Sequence, residues 1–78
     1  MYAVELNGLA IGRQIGWIHK YQYGGAEKEK AVSGWVRGVS HKENGTVIEY
    51  TEKKATAFRN RAVKLVTFDT EIGFLDGN

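Results

Sequence analysis

The chain has 78 residues, enough for one domain with a small core, since a chain of this size buries only about 60 to 65 per cent of its unfolded surface. It has no cysteine, which excludes disulfides, thiolate metal sites and a cysteine nucleophile. Eleven basic and nine acidic residues leave a net charge of +2, too balanced to identify a nucleic-acid partner by charge alone.

The opening MYAVELNG lacks a basic segment followed by an apolar one, and no apolar run approaches the ~20 residues of a membrane span. These features predict a soluble, cytoplasmic domain over residues 1–78, with no membrane partner. Tyr2 to Leu6 alternates and reads as a strand, with Asn7-Gly8 as a turn feeding Leu9 to Ile11. Arg13 to Tyr23 reads as a long strand bent near Gly16. Ile15, Trp17, His19, Tyr21 and Tyr23 fall on one face, and Gln14, Gly16, Ile18, Lys20 and Gln22 on the other. Gly8, Gly12 and Gly16 are spaced by four but do not form a phosphate loop, which needs Gly-Lys-Ser/Thr or a Gly-x-Gly-x-x-Gly opening a helix. Two glycines and alternating charge make 24–30 a solvated, mobile loop.

The clearest signal is a hairpin of Ala31 to Ser40 and Thr46 to Thr51 about Asn44-Gly45. A two-residue type I′ turn there needs positive φ at both residues, which Asn and Gly tolerate. It pairs Glu43 with Thr46, His41 with Ile48, Val39 with Tyr50 and Arg37 with Glu52, and buries Trp35, Val39, Ile48 and Tyr50 on one face. Asn44-Gly45-Thr46 also spells a glycosylation sequon, read here as turn chemistry. Thr51 caps a short turn through Ala55, and Ala57 to Arg59 adds a brief strand. Asn60 N-caps a helix over 61–72 that stacks Leu65, Phe68 and Ile72, with Gly73 as its C′ residue and Phe74 following. Against the helix stand the β-branched run Val63 to Phe68, and Asp69 and Glu71, which oppose the helix dipole. Residues 75–78 form a frayed tail. The expected fold is α+β, an antiparallel sheet of four or five strands with one C-terminal helix. If 61–72 is a strand instead, the fold is an all-β SH3-like small barrel.

Chemistry is thinly provided. His19 and His41 are the only histidines, Ser33 and Ser40 the only serines, and no local pattern gathers them into a catalytic set. His-x-His and His-x-x-x-His spacings are absent, and Asp69-Thr70-Glu71 lacks a third oxygen ligand, so neither metal nor cofactor is expected. The chain reads as a non-enzyme. Its aromatic surface predicts a protein-interaction module, an inhibitor or adaptor contacting its partner through Trp17, Tyr21 and Tyr23 and through Glu27 and Lys28 of the mobile loop. In size and composition it resembles small phage accessory proteins that occlude a larger protein, an analogy only. The alternative is nucleic-acid binding through Lys53, Lys54, Arg59, Arg61 and Lys64, with strand aromatics as stacking platforms. A third reading is a structural subunit of a homo-oligomer, a homodimer included, pairing through exposed strand edges.

Overall fold

The computed structural model describes residues 1–54 and 61–76, and among them every regular element is a strand or a single 3-10 turn. Five strands, β1 (Gln14–Tyr23), β2 (Ala26–Lys42), β3 (Gly45–Thr51), β4 (Ala62–Val66) and β5 (Gly73–Phe74), form one antiparallel sheet in the order β4-β3-β2-β1-β5. Among the described residues, no helix is long and apolar enough to cross a membrane.

The expected α+β fold is therefore corrected to an all-strand one. The segment 61–72 assigned to a C-terminal helix holds β4 and a turn, and β5 follows where the helix's C-terminal cap was expected. Ala62–Val66 adds to the edge of β3, pairing Thr46 with Val66 and Tyr50 with Ala62, so its backbone groups enter a ladder that also suits β-branched Val63 and Val66. At Thr67 the strand stops. The Thr67 hydroxyl donates to Asp69 Oδ1 at 2.7 Å and accepts from the Thr70 hydroxyl at 2.8 Å, while the Thr70 N–H donates to the Thr67 carbonyl. Such local side-chain bonds compete with helix continuation. Gly73 pairs with Gly16 in β5 instead of ending a helix. The brief strand expected at Ala57–Arg59 and the cap at Asn60 lie outside the described residues.

The first eleven residues depart from expectation in the same way. Instead of a hairpin they form two 3-10 turns, Ala3–Glu5 and Gly8–Ala10. Glu5 accepts from the Tyr2 N–H at 2.9 Å, and Asn7 Oδ1 accepts from the Leu9 N–H at 2.9 Å. This segment runs back along the chain's end: Ala3 donates to the Thr70 carbonyl, Val4 to Phe68 and Ile72 to Met1. Its Ala3, Leu6 and Ala10 enter the same core as Ile15, Trp17, Val36, Ile48, Tyr50, Val66 and Ile72.

Curvature gathers that core. In a flat sheet β1 and β4 would lie three strand spacings apart, roughly 14 Å, yet Ile18, His19 and Lys20 of β1 line one cleft with Leu65 and Val66 of β4. The sheet is curled, with one concave face. A register shift between Val36 and Gly38 leaves Arg37 as an extra residue, which turns Val36 onto the concave face opposite Tyr50. Val36 is fully buried and Trp35 only half-buried, the reverse of the expected order.

The central hairpin closes one residue earlier than expected, so that each residue's partner shifts by two, pairing Lys42 with Gly45, His41 with Thr46 and Val39 with Ile48. Neither Glu43 nor Asn44 has positive φ. The two-residue slip preserves parity, so Val39, Ile48 and Tyr50 stay on the face assigned to them. His41 is tied down by both ring nitrogens. In its neutral form Nε2 donates to the Leu6 carbonyl at 2.8 Å and Nδ1 accepts from the Thr46 hydroxyl at 2.9 Å. His41→Ala is expected to loosen the N-terminal segment and cost about 1–2 kcal/mol, measurable as a lower urea midpoint with faster amide exchange at Leu6 and its neighbours.

The segment expected as a loop at 24–30 is mostly strand. Gly24 and Gly25, with φ of 61° and 80°, form the I′-type turn themselves. Ala26 to Lys30 then pairs back along Tyr23 to His19. At the chain's end, Leu75 donates to the Gln14 carbonyl and Arg13 holds Asp76 at 2.9 Å, so the described part of the expected tail is anchored; 77–78 lie outside the described residues.

Candidate functional site

Beyond Trp17 the β1–β2 hairpin runs out of the core as a two-stranded arm. Directly opposed residues share a face, so the register sorts its side chains completely. His19 faces Lys30, Tyr21 faces Lys28, and Tyr23 faces Ala26 on the concave side. Lys20 faces Glu29 and Gln22 faces Glu27 on the back. The alternation Glu27-Lys28-Glu29-Lys30 thus becomes a separation of charge, with both lysines on the aromatic face and both glutamates behind it.

Burial fades steadily along that face. Trp17 is 5% exposed, Tyr21 38% and Tyr23 73%. The His19 and Tyr21 rings lie 6.4 Å apart and 12° from parallel, and the Lys30 ammonium sits 5.8 Å above the Tyr21 ring. Lys64 joins them from β4, where it pairs with Ile48 on the concave face. Partial burial, and then the charges of Lys64 and Lys30, push the His19 imidazole below its ordinary range. A cleft of about 370 Å³ opens beside it, lined by Ile18, His19 and Lys20 on one wall and by Thr67, Asp69, Thr70 and Glu71 on the other. Glu52 lines a second depression with Lys30 and Tyr50. Burial and the nearby Glu52 carboxylate push the Tyr50 phenol up.

The residues assigned to a protein partner are thus divided. Tyr21, Tyr23 and Lys28 share the concave face. Glu27 points to the back, and Trp17 belongs to the core, edge-to-face with Tyr50 at 5.4 Å. The basic cluster assigned to nucleic acid is also dispersed. Lys64 is concave, whereas Arg61 reaches Glu49 at 3.2 Å on the opposite face. Lys53 and Lys54 are exposed just past β3, where the Lys54 carbonyl accepts from Arg37 at 2.6 Å. Arg59 lies outside the described residues.

His19 and Lys30 were not among the assigned residues. The period-two spacing of Lys28 and Lys30 could have found Lys30, but only with the strand pairing in hand. Ser33 faces Gly16 on the back, away from His19. Among the described residues, no group of three His, Asp or Glu is placed to hold a metal ion. No family model, curated protein or solved structure matches this chain.

Proposed function

We propose that this chain is a non-enzymatic binder of single-stranded nucleic acid, which it holds along the concave face of the β1–β2 arm. Bases stack on Tyr21 and Tyr23, and Lys28, Lys30 and Lys64 meet the phosphates. The observation that carries this reading is the one-sided arm: exposed aromatic rings interleaved with lysines on one face, and the acids of the same strand on the other. A merely solvated ribbon has no need to segregate its charges, nor to display tyrosine where it is not packed. Stacking on open rings is tolerant of sequence because every base offers a π-face.

The test is fluorescence anisotropy with a labelled oligothymidylate across a salt series. Each lysine–phosphate contact contributes about −0.7 to the slope of log K against log salt, so three contacts give roughly −2. Tyr23→Ala is expected to weaken binding by about 1–3 kcal/mol. The double substitution Lys28→Glu/Lys30→Glu is expected to abolish binding, and Glu27→Gln/Glu29→Gln to leave it nearly unchanged. Equal binding by the lysine pair and the wild type, or none by the wild type, rejects the reading.

A protein-interaction role, as inhibitor or adaptor, draws on a different observation. Among the described residues β5 covers β1 only at Ile15 and Gly16, and β3 reaches β2 only from Trp35 onward, so both edges of the arm are open to strand addition. A single stoichiometric protein recovered from native lysate after nuclease treatment would favour that role. Loss of all recovered material on nuclease treatment would favour the nucleic-acid reading.

A further inference from the structure

We propose that His19, Lys30 and Lys64 form the subsite for one phosphodiester group of the bound strand, and that filling it is coupled to protonation of His19. The inference rests on the nucleic-acid reading and adds to it a ligand position and a dependence on pH.

Three strands deliver the three groups. His19 stands directly across from Lys30 in the β1–β2 ladder, and Lys64 comes from β4, which the curl of the sheet brings toward β1. Lys30 is held over the Tyr21 ring, whose plane nearly parallels the imidazole. A base resting on Tyr21 therefore carries its backbone past two ammonium groups and an imidazole. The charged groups on the facing elements are Asp69 and Glu71 across the cleft, Lys20 on the same strand, and Glu52 beside Lys30. The carboxylates do not prevail at the imidazole, which burial and the two lysines together push downward.

Without ligand, then, a proton on His19 adds a third positive charge to a pair already in place, and is opposed. A phosphodiester between the three groups reverses the sign of that interaction. The imidazolium now faces an anion and gains a charge-assisted hydrogen bond, while the lysines are neutralised by the same group. Because the protonated state is favoured by the complex and disfavoured without it, affinity must rise as pH falls through the titration range of His19 and level off on either side. The lysines carry the salt dependence at every pH, and His19 adds the pH dependence.

The imidazoles of His19 and His41 can be followed separately by NMR during pH titrations of the full chain, alone and with saturating oligothymidylate. The His19 midpoint is expected to rise on binding by about one unit, which corresponds to a roughly tenfold change in affinity between the protonated and neutral limits. His19→Gln should retain salt-dependent binding and lose its pH dependence. Lys64→Gln should raise the His19 midpoint even without nucleic acid, a readout independent of binding. Binding with an unmoved His19 midpoint, or pH dependence that survives in His19→Gln, overturns the coupling and leaves the nucleic-acid reading standing. Absence of oligonucleotide binding at every pH overturns both.

Discussion

Trp17→Ala is expected to remove a large share of the protein's stability. The indole is 5% exposed, faces Val32 across the β1–β2 ladder and meets Tyr50 edge-to-face at 5.4 Å and 87°. Truncating a buried tryptophan to alanine costs about 3–5 kcal/mol, against a total stability of roughly 4–12 kcal/mol for a domain of this length. The site carries its own control. Trp17 Nε1 is buried and finds no acceptor among the described residues, a state that costs about 1–3 kcal/mol. Trp17→Phe gives up some packed volume but also removes that unsatisfied donor, so its net loss should be near 1 kcal/mol, far below that of alanine. Urea denaturation followed through the remaining Trp35 reads both variants. An alanine variant with the wild-type midpoint would mean that Trp17 is a surface residue, as a partner-binding role requires.

Gly45→Ala should be nearly as damaging, for a reason unrelated to the turn it adjoins. A Cβ there would run into the Val66 carbonyl oxygen and come within 3.1 Å of Leu65 Cδ1, and the residue's φ is +154°. Backbone strain and overpacking each cost about 1–3 kcal/mol, giving about 2–6 kcal/mol together, and the damage should centre on the β3–β4 pairing. Asn44→Ala should cost no more than about 0.5 kcal/mol, because Asn44 is exposed and its φ is negative. A type I′ turn on Asn44-Gly45 predicts instead that both substitutions hurt. Thermal melts of the two variants decide between these accounts, and comparable losses at both positions would reject the observed register.

These two residues show where local reading stops. Asn-Gly marks a hairpin well enough to locate β2 and β3, yet the glycine is required by the close approach of Leu65 and Val66 of β4, which no local pattern around Gly45 announces. Gly24-Gly25, read as a flexible loop, supplies the I′-type turn instead. The concave set was half legible. Tyr21, Tyr23, Lys28 and Lys64 were singled out for two separate roles, and only the β1–β2 register and the curl of the sheet bring them to one face with His19 and Lys30.

Period-two alternation by itself determined a strand-rich chain and the face on which Ile15, Trp17, Ile48 and Tyr50 lie, and composition determined the lack of any cysteine-based chemistry. Those are properties of side-chain spacing and composition, which short stretches carry intact. The tertiary structure decided what spacing leaves degenerate. Residues 62–66 suit either an amphipathic helix or a strand, and the open edge of β3 selected the strand by offering a ladder for their backbone groups. The bulge at Arg37 exchanged Val36 for Trp35 in the core, because one extra residue in a strand reverses every side chain beyond it. The alternating charges of 27–30 acquired a direction only when pairing with β1 assigned one parity to the concave face and the other to its back.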